Sequence, residues 1–239
     1  MKKMITLVLA FVLGYTAFAQ VEVPAVKKLG GRAADHFMIQ LASNFWSGTA
    51  DSVKDYISAI NRSANFYVMY DKQFKTNPKF SFALGLGIGT TNMYFKKMEV
   101  NITSSSPTLP FIRTDTGNNF KKFKVTNAFV EIPLELRYMT SPNDPNKSLK
   151  FALGAKVGTL ISAHTRAKNL QNSAGTKINS NTFKENSKSY FNNTRIGLTA
   201  RIGYGIYSIF GAYAFTNVFK DGVAPNIKAF QLGLSISGL

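Results

Sequence analysis

The segment Phe129-Val-Glu-Ile-Pro-Leu-Glu-Leu-Arg-Tyr138 constrains the fold of this chain more than any other. Its residues alternate without a break. Val130, Ile132, Leu134, Leu136 and Tyr138 fall on one face, and Glu131, Pro133, Glu135 and Arg137 on the other. A period of two is the signature of a β-strand. The apolar face requires an oily partner. The opposite face holds two carboxylates and a guanidinium, which need partners of their own. A transmembrane β-barrel supplies both environments, with lipid outside and a polar lumen inside.

The alternation recurs along the rest of the chain. A first strand is predicted over about 36–45, where Phe37, Ile39 and Leu41 oppose His36, Met38, Gln40 and Ala42. A second, about 64–71, sets Phe66, Val68 and Tyr70 against Asn65, Tyr67 and Met69. The third, 79–95, sets Phe80, Phe82, Leu84, Leu86 and Ile88 against Ser81, Ala83, Gly85, Gly87 and Gly89. Small inward residues let neighbouring side chains fill a narrow barrel. The three glycines sit within a strand at spacing two with no helix after them, which argues against a dinucleotide loop. The opening segment is the fourth strand. The fifth, about 149–164, turns Lys150, Ala152, Gly154, Lys156 and Gly158 inward. The sixth, 193–204, does the same with Arg195, Gly197, Thr199 and Arg201. The seventh, 207–217, does not reveal its two faces. In the eighth, Phe230, Leu232, Leu234 and Ile236 alternate with Gln231, Gly233, Ser235 and Ser237. The expected fold is therefore all-β: an eight-stranded antiparallel up-and-down transmembrane β-barrel over 36–239.

The connections have two lengths. Those at 46–63, 96–123 and 165–191 are long, and those at 72–78, 139–148 and 205–206 are short. Outer-membrane barrels show this asymmetry, with the long connections outside and an even strand count. In the first, Asp51 is placed to cap a short helix carrying Val53, Tyr56, Ile57 and Ile60, with an irregular loop as the equal alternative. The other two long connections read as basic loops, the second rich in Asn and Ser.

Residues 1–19 have the features of a secretory signal peptide, with Lys2 and Lys3 ahead of an apolar run and Ala17-Phe18-Ala19 before a cleavage point at Gln20. Residues 20–35 read as a periplasmic lead-in. The chain has no cysteine, which excludes disulfides, thiol catalysis and a lipid-modified N-terminal Cys. After the signal peptide no apolar run is long enough for a transmembrane helix. Charged residues make up only 17%, yet the net charge is +17. At an outer membrane such a charge favours lipopolysaccharide phosphates over nucleic acid.

Three stretches carry a family resemblance: Ile132-Pro-Leu-Glu-Leu136, Gly85-Leu-Gly-Ile-Gly89 and Gln231-Leu-Gly-Leu-Ser-Ile-Ser237. With these, nearly the whole mature chain resembles the small outer-membrane β-barrels of the Bacteroidetes, the PorT-like group. The resemblance implies an outer-membrane address. It also implies a link to type IX-like protein secretion, through the member that gives the group its name. The chain ends in Leu239, where such barrels often carry an aromatic residue.

The inward charges form the first candidate site: Glu131, Glu135, Arg137, Lys156, Arg195 and Arg201, with Lys150 nearby in sequence. They lie on consecutive strands and so on neighbours. Glu131 and Glu135 are expected to meet Lys156 and Arg201 as a plug of paired charges. The second candidate is a cluster of Lys96, Lys97, Lys121, Lys122 and Lys124 at the outer ends of strands three and four, suited to lipopolysaccharide phosphates. Aromatic girdles are expected at Tyr70, Phe80 and Tyr138 on one side and Phe45, Trp46, Tyr94 and Phe95 on the other. There are two histidines, His36 and His164, placed at opposite membrane surfaces about 25–30 Å apart. They cannot share a metal or an active site. His164 with an outer-loop carboxylate such as Glu185 could form a rim dyad, though nothing in the spacing argues for it. No catalytic, cofactor or metal residues are assigned. The reading is a non-enzymatic interaction or assembly component with envelope partners. A narrow solute channel is the alternative, and a rim hydrolase ranks last.

Overall fold

The computed structural model describes residues 37–237. The expected signal peptide, the lead-in, His36 and Leu239 lie outside the described residues. Among the described residues there are eleven strands: β1 Phe37–Ser47, β2 Arg62–Gln73, β3 Phe80–Phe95, β4 Met98–Val100, β5 Phe111–Arg113, β6 Asn119–Met139, β7 Leu149–Gln171, β8 Lys177–Asn186, β9 Thr194–Tyr204, β10 Tyr207–Asn217 and β11 Lys228–Ser237. Every pairing is antiparallel. The order β6-β3-β2-β1-β11-β10-β9-β7 returns to its start through a β6–β7 ladder, so eight strands close a barrel. Closure leaves these strands no free edge within the bilayer, which an apolar solvent demands.

The faces follow the alternation. Phe82, Leu84, Leu86 and Ile88 on β3 are exposed, as are Val130, Ile132, Leu134 and Leu136 on β6, while the residues between them face the lumen. On β10 the exposed set is Tyr207, Ile209, Tyr213 and Phe215; Ser208, Phe210, Ala212 and Ala214 point inward. Phe210 is 2% exposed. An aromatic on the lumen side, combined with alanines, hides the alternation of this strand.

The two longer basic connections differ from expectation. They are mostly β-structure. β6 begins at Asn119; residues 119–128 run along the upper part of β7, and 123–128 also pair with β3. β7 runs to Gln171, and β8 returns along it. β4 and β5 form a small separate hairpin. The first connection holds a one-turn helix, α1, at Asp51–Lys54; its N-cap is Ala50 and not Asp51, and no side chain caps it. Ile57 instead bridges Phe95. The strands extend because the alternation continues with its polarity reversed. Below this level the outward residues are apolar and the inward ones polar. Above it, Met93, Phe95, Phe123, Val125, Ala163 and Ala167 are buried inside, and Asn92, Lys122, Lys124 and Arg166 lie on the outer face.

A β-bulge on β7 sits where the polarity reverses. Ala128 pairs with Ser162 but Phe129 with Leu160, so Ile161 is an extra residue. An extra residue shifts the side-chain phase of its strand by one. The outward positions of β7 therefore change from odd numbers to even ones beyond Ile161.

The reversed face builds an apolar cap over one end of the lumen. Met93, Phe95, Met98, Val100, Ile102, Leu109, Phe123, Phe129, Leu160, Phe191, Phe219 and Ile227 pack in one cluster. Phe219 contacts Trp46, Phe111 and Phe191 at ring-centroid distances of 5.6, 6.3 and 5.2 Å. Trp46 and Phe95 meet edge to face at 5.9 Å within this cap and so do not belong to a lipid-facing girdle. Other connections are tied into the cap: Leu109 donates its amide to Val223, Lys220 to Tyr190, and the Tyr190 hydroxyl lies 2.7 and 2.6 Å from the carbonyls of Ser104 and Ser106. At the opposite end Phe80, Tyr138 and Phe151 form an aromatic row with spacings of 5.0 and 6.2 Å.

Candidate functional site: a charged lumen and a basic recess

The lumen is built around β6. Strand register sets Glu131 between Gly87 of β3 and Gly158 of β7, and Glu135 between Ala83 and Gly154. Each carboxylate is thus flanked by residues too small to obstruct it. A Cβ added at Gly158 would stand 2.8 Å from Glu131 Cγ, and one at Gly89 would collide with the Glu131 carboxylate. The glycines make room for the charges.

Glu131 is completely buried. Arg195 donates to its Oε1 from Nη2 at 2.6 Å and from Nε at 2.9 Å. Tyr67 Oη donates to Oε2 at 2.5 Å, and Lys156 Nζ lies 3.5 Å from the same oxygen. The Arg195 guanidinium lies 4.0 Å from the centroid of the Phe129 ring, where the apolar cap begins. Glu135 Oε2 accepts from Arg137 Nε and Arg201 Nη2, each at 2.8 Å, and Arg201 also donates to Ser237 Oγ at 2.8 Å. Arg137 Nη1 is 3.9 Å from Asp71 Oδ2. An amide chain joins the network: Gln231 Oε1 is 3.5 Å from Lys156 Nζ and 3.4 Å from Asn65 Nδ2, and Gln231 Nε2 donates to Asn44 at 3.0 Å.

The structure thus brings together all six sequence-derived lumen residues: Glu131, Glu135, Arg137, Lys156, Arg195 and Arg201. Tyr67, Asp71, Asn65 and Gln231 complete the network and were missed by sequence reasoning. Their inward parity was visible, but only the cross-strand register shows which charge each one meets.

The basic cluster lies on the outer face. Lys96, Lys121, Lys122 and Lys124 line an open recess of about 530 Å³, together with Arg62, Arg166, Lys168, Tyr94 and Ile60. Lys97 is the exception. It takes a left-handed backbone conformation (φ 53°) at the β3–β4 turn and does not line the recess. Arg62, Arg166 and Lys168 had no sequence signal, because the last two fell in a segment read as loop. Lys124 donates to Asn92 at 2.6 Å and lies 5.7 Å from the Tyr94 ring centroid.

Two further acid–base features belong to the segments above the lumen. Tyr56 donates to Asp115 at 2.6 Å, and this bond raises the phenol's pKa above its ordinary value. Glu99 on β4 is half-buried; burial first, and the nearby Glu185 carboxylate second, push its carboxyl up. The dyad of His164 with Glu185 does not form. His164 pairs with Asn186 and Thr165 with Glu185, which puts the two side chains on opposite faces of the hairpin. Among the described residues no group of three His, Asp or Glu side chains is placed to hold a metal ion.

A solved structure of Ail, the attachment invasion locus protein of Yersinia pestis in complex with the heparin analogue sucrose octasulfate, is similar to this chain at 12% identity. The alignment covers 84% of this chain and 94% of that one, with a TM-score of 0.33. No curated protein matches. Residues 18–220 match the family model described as the outer membrane protein beta-barrel domain. With eight strands closed around a charged lumen and that match over most of its length, the chain belongs to the outer membrane protein beta-barrel domain family.

Proposed function

We propose that this protein is a non-conducting, non-enzymatic outer-membrane barrel that serves as a rigid interaction or assembly component of the envelope. The observation that carries the reading is the pairing of Glu131 and Glu135 with four cations inside the lumen. A solute path requires charges left available to water or ions. Here the two carboxylates are consumed by partners on β6, β7 and β9 inside the lumen, and the apolar cap lies above them. In an eight-stranded barrel side chains are enough to fill the interior.

In this reading residues 1–19 direct export and are removed before Gln20, and the long-connection end with its cap faces the exterior. That end offers envelope proteins a structured surface. The secretion role implied by the sequence resemblance makes a type IX-like machine the first partner to look for. The basic recess on the outer wall contacts the lipopolysaccharide layer.

Planar-bilayer recording tests the closed lumen. The purified barrel is expected to stay silent at ordinary salt, and stepwise ohmic openings would favour the channel reading instead. Purification from the native membrane in mild detergent tests the partner claim. Stoichiometric envelope or secretion proteins are expected in the eluate, and a barrel that elutes alone would overturn it.

A further inference from the structure

We infer that the outer wall above β6, β7 and β8 is a built site for the phosphates of an outer-leaflet glycolipid. This rests on the outer-membrane location and on the outward-facing end chosen above, and not on whether the lumen conducts. The register creates the site. Lys124 is directly opposite Arg166, and Arg166 is directly opposite Lys184. One step further out, Lys122 is opposite Lys168. Like charges directly opposite each other weaken an antiparallel sheet. Three such pairs stand on one face, and among the described residues none of these cations has a carboxylate partner. An external anion bound there would offset that repulsion.

The dimensions select the anion. Neighbouring strands lie about 4.8 Å apart and alternate residues about 7 Å apart along a strand. The five cations therefore cover a patch of about 10 by 7 Å, which accommodates two phosphates on one sugar headgroup. The patch shares the outward face of the apolar band. Lys124 lies four residues beyond Ala128, or about 10 Å along the membrane normal for an ordinary strand tilt. The headgroup layer is about 5–8 Å thick on each side, and a lysine stem spans the remaining distance. A glycolipid seated there would keep its acyl chains on the apolar wall below. Its sugars would lie against Tyr94 and Ile60 in the recess. A soluble polyanion has no use for the apolar wall.

The test compares wild type with Lys124→Ala/Arg166→Ala/Lys184→Ala in detergent, with heat-modifiable gel mobility reporting a folded barrel. The probes are purified lipopolysaccharide, the same lipopolysaccharide after dephosphorylation, and a soluble sulfated polysaccharide. The expected result is salt-sensitive lipopolysaccharide binding by wild type. It should weaken at least tenfold in the triple variant and at least tenfold on dephosphorylation, and survive in Lys124→Arg/Lys184→Arg. If the triple variant does not fold, Lys184→Ala, on a strand outside the barrel wall, replaces it. Unchanged binding by the alanine variant overturns the inference, and so does equal binding of the dephosphorylated lipid. Binding of the soluble polysaccharide without binding of the lipid would assign the patch to a free glycan. A protein that fails here and stays silent in bilayers loses this site but keeps its closed lumen.

Discussion

Glu135 shows how single residues decide the lumen. Its oxygen accepts from two guanidinium groups, and neither cation can reach bulk water. Replacing a buried ion pair by matched apolar groups is often neutral, whereas removing one partner strands the other. Glu135→Ala is therefore expected to cost about 3–5 kcal/mol, read as a lower urea midpoint in lipid or detergent. Glu135→Leu combined with Arg201→Met should recover most of that loss. An unchanged midpoint in Glu135→Ala would remove the pairing from the account of stability. The charged members of this network were legible because parity alone sends odd-numbered residues of β6 inward. Tyr67 was not legible as a partner. A buried phenol looks like core filling until register places it against a carboxylate.

At the scale of elements, the strands were easy to find and their lengths were not. The sequence signal for a membrane strand is an apolar outward face, and that signal stops near Val130 on β6 and Ile161 on β7. Beyond those points the same period continues with the apolar residues on the other side, so 119–128 and 165–186 look like basic loops. The extra residue at Ile161 adds a phase shift that a fixed period cannot follow. The cap these extensions form depends on Phe219, which is 1% exposed. Phe219→Ala should cost about 3–5 kcal/mol locally. Hydrogen-exchange protection should fall over 98–113 and 188–192 while β3 and β9 keep theirs; uniform loss across the barrel would mean that cap and barrel unfold together.

Glu99 makes the same region pH-sensitive. Its carboxyl titrates above its unfolded value, so the folded state holds the proton more tightly. That favours the fold at low pH, and the contribution is lost as pH rises through the unfolded and then the folded pKa. Protection factors for β4 and β5 should decline over that rise in wild type and stay flat in Glu99→Gln. A wild-type profile matching the variant's would show that Glu99 is not under strain.

For the whole molecule, the two obstructions are in series. Removing the lumen carboxylates in Glu131→Gln/Glu135→Gln leaves the cap in place, so bilayer recordings should remain silent; ohmic steps in that variant alone would show that the cap does not seal. The barrel itself was legible because eight alternating segments and an asymmetry of connection lengths are global patterns that survive local error. The proposed glycolipid patch was legible only in part, because Arg166, Lys168 and Lys184 lie in a segment that reads as loop and join Lys122 and Lys124 on one face only through the register.

The reversal of polarity along β3, β6 and β7 has a mechanical consequence. Each of these strands is oily outside up to one level and cationic or polar outside above it. Sinking the barrel by two residues, about 7 Å along a strand, would drag ammonium and guanidinium groups toward hydrocarbon. Raising it by the same amount would lift Ile88, Val130 and Ile161, the uppermost apolar residues of the outer wall, out of hydrocarbon at that same waterline. Both displacements are opposed, so the wall acts as a float with a marked waterline, and anything that docks on the outer end meets it at a fixed height above the membrane.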